Sequence, residues 1–259
     1  MIVWQNREFI EEAAAGIGIT DRGLTLGDGV FDTLLALDGV PQEGAAHFAR
    51  LQAHAQILGM AIDTAQFERT AQDLLARNQF TKGRHAVRTT ATRGPGKRGL
   101  MVPADPAYTL LMRASPVPTA GGPVRLITAT SVRRNEGSPL SRIKSLNYGD
   151  NILALMEARA HGADDALMLN NAGNAACASA ANIYVQVGDD VLTPPLADGA
   201  MDGIVRARLI AQGFAREQTI TAAMLAQCGG MMVSNSTMGV RPVVAFNGRD
   251  LEPMTGPAA

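Results

Sequence analysis

The sequence predicts an α+β protein of two modest domains. Strand-like and helix-like segments are mixed without the strict alternation of a doubly wound sheet. A Pro- and Gly-rich stretch, "SPVPTAGGP" (Ser115–Pro123), also separates two apolar strand-like segments. With 46% hydrophobic residues in 259, the chain can bury a sizeable core, as one large or two modest units. The expected division is a smaller N-terminal domain over 1–114, a linker over 115–123 and a larger C-terminal domain over 124–259.

The elements read in order along the chain. "MIVWQNREFI" is strand-like, and "VFDTLLAL" is a strand closed by the hairpin-type pair Asp38-Gly39. "EGAAHFARLQAHAQILGM" places Phe48, Leu51, Ala55 and Leu58 at helical spacing and stops at Gly59. A second helix covers "TAQFERTAQDLLARNQF", followed by strands at "HAVRTTATRG" and "AYTLLMRA". After the linker come a strand at "VRLITATSVRR", a helix at "NILALMEARAHG" and short strands at "DALMLN", "NIYVQV" and "DVLTPP". A helix then starts at Asp202 or Gly203, and "GGMMVSNSTMGVRPVVAFNG" reads as strand, turn and strand. There is no internal repeat and no low-complexity tract.

Composition removes several function classes. Basic and acidic residues number 23 and 24, for a net charge of −1, and no block of like charges reaches about five or six residues, so neither nucleic acid nor an anionic membrane is an expected partner. No apolar run approaches the roughly 20 residues that span a bilayer, and the N-terminus has no basic leader, so a cytoplasmic protein is expected. Cys177 and Cys228 are far apart, and the four histidines are scattered at 47, 54, 85 and 161. Neither a disulfide framework nor a metal site is expected.

Lys144, in "SRIKSLNYGDN", is the residue on which chemistry could turn. A lysine that bonds an aldehyde cofactor needs partners for that cofactor's phosphate, and backbone N–H groups at a helix start supply them. "MDGIVRA" offers such a start, the hydroxyls of "SNSTMG" offer further donors, and Arg50 in "HFARL" offers a bidentate cation.

Seven segments, "LGDGVFDTL", "HFARL", "RIKSLNYGDN", "GADDALMLN", "ASAANIYV", "LADGAMDGIVR" and "SNSTMGVRPVV", follow one another as in the class IV aminotransferases. These are the fold-type IV pyridoxal-phosphate enzymes, which include branched-chain and D-amino acid aminotransferases and aminodeoxychorismate lyase. The resemblance spans almost the whole chain. It implies a two-domain fold-type IV architecture with pyridoxal 5'-phosphate between the domains, a homodimer, and transfer of an amino group between an amino acid and a 2-keto acid. Carried over by position, it makes Lys144 the Schiff-base lysine, Arg50 the phosphate arginine, Ile204 and Val205 the two phosphate-binding amides, and Ser236 the phosphate hydroxyl. Tyr148 resembles a tyrosine that some members aim at the ring oxygen, although a core tyrosine is an equal reading. For the substrate carboxylate the resemblance points to Arg98, with Arg93 as second choice, while Phe31 and Leu100 replace polar contacts of the D-amino acid enzymes.

Cys177 marks a departure. Family members usually carry a glutamate there, against the cofactor's ring nitrogen, and this chain has no acid between Asp165 and Asp189. Cys177 reads either as a small buried hydrophobe or as a thiolate formed in the cofactor's field. Two alternatives to transamination stay open. "SNSTMGVRPVV" and "RGPGKRGL" are similar to aminodeoxychorismate lyases, which eliminate pyruvate, and the missing glutamate allows a cofactor-binding homologue without turnover.

Overall fold

A computed structural model describes residues 1–119 and 121–256. The described residues form two compact units, one made of Met1–Thr119 with Lys144–Asn147 and the other of the remaining described residues.

The first unit is a six-stranded antiparallel sheet in the order β2-β1-β6-β5-β3-β4. Its strands are β1 (Ile2–Gln5), β2 (Glu8–Glu11), β3 (Gly29–Leu37), β4 (Val40–Pro41), β5 (Arg84–Thr92) and β6 (Thr109–Pro116), and its helices are α1 (Arg22–Leu26), α2 (Gly44–Ile57) and α3 (Phe67–Arg77). The N-terminal segment that reads as one strand is a hairpin, because Asn6 and Arg7 take φ of 48° and 77° and turn the chain back. Asp38 and Gly39, with φ of 48° and 81°, close the β3–β4 hairpin with both central residues left-handed, as a two-residue turn demands. Phe67 of α3 docks edge-on against Trp4 and Phe48, with ring centroids 5.4 and 5.7 Å apart, which ties both long helices to the sheet. β6 runs on through Ser115 and Pro116, so the expected linker contributes two residues to the sheet.

The second unit carries a nine-stranded sheet in the order β12-β11-β10-β13-β14-β7-β8-β9, with β15 paired to β14. Its strands are β7 (Val124–Thr128), β8 (Asp165–Leu169), β9 (Ala175–Ala178), β10 (Asn182–Val187), β11 (Asp190–Thr193), β12 (Arg216–Glu217), β13 (Gly230–Asn235), β14 (Gly239–Phe246) and β15 (Arg249–Asp250). Helices α4 (Gly149–Ala160), α5 (Ile204–Ala211) and α6 (Ala222–Gln227) complete it. β9 does not read as a strand because "AACA" is a run of small residues, yet all four are buried against β8. Helices and strands are mixed without regular alternation, as the sequence predicts.

One expectation about the domains needs correction. Lys144–Asn147 lies inside the segment assigned by sequence to the C-terminal domain, but it packs with the first unit. The cause is backbone pairing with β3: the N–H of Phe31 donates to the Lys144 carbonyl at 2.9 Å, and that of Leu146 donates to the Gly29 carbonyl at 3.0 Å.

No described helix is long and apolar enough to cross a membrane, and the described residues contain no cluster of metal-ligating side chains.

α4 is anchored by a carboxylate clamp. The amides and hydroxyls of Thr130 and Ser131 all donate to Glu157, at 2.6 to 3.0 Å. These bonds, the Ser131 hydroxyl foremost, bring the Glu157 pKa from 4.5 down to about 2. A carboxylate held below its unfolded pKa contributes its full stabilisation above that value and loses it as pH falls through the folded one. Glu157→Gln should therefore melt at lower temperature than wild type at neutral pH. The gap should close between pH 4.5 and about 2, in melts followed by circular dichroism. A gap that stays constant across that window would assign the stabilisation to something other than the charge.

Candidate active site

In the first unit, residues from three elements, β3, β5 and α2, converge around Lys144. Its segment is zipped to β3, with Ser145 bridged to Val30, and its own N–H donates to Nδ1 of His54 at 3.2 Å. The Lys144 Nζ lies 4.7 Å from the centroid of the Phe31 ring, and the Arg88 guanidinium carbon lies 3.7 Å from the same ring. Two cations therefore share one aromatic side chain, at distances where each is attracted by the ring quadrupole.

On the opposite face of β3 sits a buried charge cluster. α2 presents His47, Arg50 and His54 on one face, each almost fully buried. Arg50 forks onto Asp32 through Nε and Nη2, at 2.8 and 2.9 Å, and Nδ1 of His47 meets the same carboxylate at 2.7 Å. Burial alone would raise the Asp32 pKa, but the His47 hydrogen bond and the Arg50 charge outweigh it and hold the carboxyl well below the ordinary carboxylate range.

Two other arginines organise the loop that follows β5. Asp28 accepts from Arg22 and Arg93, both at 2.8 Å, and Arg22 also donates to the carbonyls of Gly99, Leu100 and Met101. Arg93 is buried and reaches the carbonyls of Leu58 and Gly59. It is thus a structural clamp, whereas Arg98 is exposed on the loop.

In the second unit, α5 begins at Gly203, which supplies no side-chain cap and leaves the first-turn amides of Ile204 and Val205 pointing out of the helix. A side chain cannot replace that glycine: a Cβ there would come within 1.9 Å of Asn182 Oδ1, and Asn182 is itself held through Nδ2 on the Met201 carbonyl. Ser236 sits half-buried in the β13–β14 turn, which Asn235 shapes by accepting from the amides of Thr237 and Met238. Beside that turn the Tyr184 hydroxyl pairs with Ser234 Oγ at 2.8 Å, and burial pushes the tyrosine up to about 12.

Known proteins share this fold. The profile of the amino-transferase class IV family matches residues 29–246. The chain is 30% identical, over 96% of its length and 89% of the relative's, to a putative branched-chain-amino-acid aminotransferase of Methanocaldococcus jannaschii. The chain belongs to the class IV aminotransferases. Among solved structures, a branched-chain aminotransferase of Thermoproteus uzoniensis superposes with a TM-score of 0.91 at 25% identity, covering 99% of this chain and 90% of that one. A putative 4-amino-4-deoxychorismate lyase of Legionella pneumophila gives 0.84 at 27% identity, covering 95% of this chain and 92% of that one. The fold is therefore fold-type IV, and the protein is an enzyme of the transaminase class.

Several expected site residues of this class IV aminotransferase lie close together in the structure. Lys144 and Phe31 meet in the first unit, and Arg50 sits on the other side of β3 from Phe31. Ile204 and Val205 open α5, as expected from the glycine before them. Tyr148 occupies the position before α4, half-buried and in the second unit, so it does not share the Lys144 segment's packing. Cys177 is buried on β9 among Ala154, Ala158 and Met168. Burial pushes its thiol up, against the pull of Arg134. Arg134 donates to Asn151 Oδ1 and the Ser141 carbonyl, and its Nε is buried without a partner among the described residues.

Sequence reasoning missed Arg88 and His54. Arg88 looks like a solvated strand arginine in "HAVRTTATRG". Its signal is that β3 and β5 pair Phe31 with Thr90 and Thr33 with Arg88, so strand alternation puts Arg88 on the Phe31 face. His54 falls on the helix face shared with His47 and Arg50, three titratable groups where α2 should be apolar.

Proposed function

We propose that this enzyme is a pyridoxal-phosphate-dependent aminotransferase that uses Lys144 as its cofactor-bearing lysine and general base and acid. The observation that carries this is the placement of Lys144. Its backbone is pinned by β3 and by His54, which fixes the amine's origin, and its Nζ is held at an aromatic ring beside a second cation. When bound, the cofactor supplies the electron sink that allows a Cα–H bond of the amino acid to break. Lys144 would move that proton at Nζ.

The donor set fits an aldehyde phosphate. An amine, a guanidinium locked by a carboxylate, uncapped helix amides and a turn hydroxyl are the chemistry such a group requires. In this reading Arg50 binds phosphate through a guanidinium fixed by Asp32. Ile204 and Val205 give backbone N–H groups, and Ser236 adds its hydroxyl. The substrates are an amino acid and a 2-keto acid. Phe31 offers apolar surface to an aliphatic side chain, in keeping with the branched-chain relative, and Arg88 offers a cation to a carboxylate, ahead of Arg98 because it lies at the ring that Lys144 also touches. Cys177 acts as a packing residue, and Tyr148 remains available to the cofactor ring.

Two further parts of the reading concern setting. α4 exposes Ile152, Leu153 and Met156 on one helix, between 49% and 62% exposed, which is the surface a homodimer would cover. Two buried cysteines kept as free thiols suit the cytoplasm. A second reading, pyruvate elimination from aminodeoxychorismate, is supported by the lyase neighbour at 27% identity, and it uses the same lysine.

Borohydride reduction of the holoenzyme followed by peptide mapping is expected to place the phosphopyridoxyl group on Lys144. Finding it on Lys82 or Lys97, or on no lysine, would refute the assignment. Transamination of an L- and D-amino acid panel against pyruvate release from aminodeoxychorismate separates the two activities.

A further inference from the structure

The structure assigns His54 a role as the positioning residue for Lys144, through the hydrogen bond that its ring nitrogen accepts from the Lys144 backbone. The inference rests on the reading of Lys144 as the reactive amine and adds a device that controls where that amine stands.

The geometry is specific. His54 lies in the last turn of α2 and is only 3% exposed. Its Nδ1 receives the Lys144 N–H at 3.2 Å, so that nitrogen carries a lone pair and the neutral ring's proton resides on Nε2. The Lys144 carbonyl is taken by Phe31, and the next two residues pair with Val30 and Gly29. Two of these three backbone hydrogen bonds thus go to β3, where they bridge Ser145 to Val30, and the third, at the residue bearing the amine, goes to a histidine side chain. A buried amide without its acceptor would be costly, so the segment's position over Phe31 depends on His54 staying an acceptor.

His47 and Arg50 share the helix face of His54, and Asp32 on β3 bonds both. Lys144 itself is the donor. Arg93, paired with Asp28, bonds the carbonyls of Leu58 and Gly59 just past the helix end.

The test compares holoenzymes of wild type, His54→Asn, His54→Leu and His54→Phe. Asn offers a side-chain oxygen acceptor that does not titrate; Leu and Phe offer none. In the apolar variants kcat should fall roughly tenfold, equivalent to about 1.4 kcal/mol, with KM for the amino donor within about twofold, the signature of a misplaced group rather than lost substrate binding. Amide exchange in the peptide containing Lys144, followed by mass spectrometry, should accelerate in the same variants, and His54→Asn should restore both. Equal kcat in the Asn and Leu variants, or unchanged exchange in Leu and Phe, overturns the inference. If neither apolar variant folds, His54→Ala takes their place, and exchange at Lys144 as slow there as in wild type overturns it. Borohydride labelling on Lys144 in all four proteins with unmoved kinetics defeats the role of His54 only, whereas labelling elsewhere defeats the reading of Lys144.

Discussion

Lys144→Ala is expected to lower transaminase kcat by about 10²- to 10⁴-fold, the range that a positioned acid–base group supplies, while leaving the fold in place. The second half follows from the bonding. Every attachment described for the segment uses main-chain atoms: the Lys144 carbonyl to Phe31, the Lys144 N–H to His54 and the Leu146 N–H to Gly29. Truncating the half-buried side chain removes the contact with Phe31, worth about 0.5–1 kcal/mol for a cation at a partly exposed ring, and leaves these main-chain bonds in place. Melting should therefore move by only a few degrees. Lys144→Arg sharpens the test, because arginine keeps a cation for the ring and cannot lose its proton near neutral pH. Equal losses of kcat in Ala and Arg would identify the neutral amine as the working species. Near wild-type turnover in Arg would show that charge alone suffices and would remove Lys144 from the proton transfer.

How much of this was legible in the sequence depends on the kind of signal. The β3–β4 hairpin was legible because Asp38-Gly39 is a local code for a two-residue turn, and α2 and α3 because their apolar spacing repeats over three turns. α5 was legible at its start, since a glycine before "IVRARLIA" marks an uncapped helix end. β9 was not, because four small residues carry no periodicity and are held only by pairing with β8. The transfer of Lys144–Asn147 to the first unit was equally hidden: it is made by main-chain bonds to β3, which side chains do not announce. The same limit explains the missed site residues. Arg88 and His54 have ordinary local patterns, and they acquire meaning only when pairing puts Arg88 at Phe31 and folding brings the Lys144 amide to His54.

Loss of the Asp32 carboxylate is the other substitution expected to have a large effect, and it reaches both stability and cofactor binding. Asp32 is buried and bonded on one side by the Arg50 fork and on the other by His47. Removing one partner of a buried pair leaves an uncompensated charge, at a cost of about 3–5 kcal/mol. Asp32→Asn should accordingly melt roughly 6–20 °C lower than wild type, at about 2–4 °C per kcal/mol for a chain of this size. The sign with pH follows from the depressed pKa: the pair's contribution is complete above the unfolded value of 3.8 and persists to strongly acidic pH, so the deficit of the variant should be constant from pH 5 to 8. Arg50→Ala should show a deficit of similar size, and the double variant should lose much less than the sum, with a coupling of about 1–3 kcal/mol. Cofactor binding then distinguishes a structural pair from a phosphate site. Pyridoxal phosphate stabilises the protein in proportion to its affinity, whereas pyridoxal lacks the anion. If Asp32 serves to aim Arg50 at phosphate, the extra stabilisation by pyridoxal phosphate over pyridoxal should shrink in Asp32→Asn and more so in Arg50→Ala. Arg50→Lys should recover only part of it, because a point charge cannot hold Asp32 and phosphate in one planar fork. A full phosphate increment in Arg50→Ala would reduce the cluster to a structural ion pair and leave the phosphate to the amides of Ile204 and Val205 and the hydroxyl of Ser236.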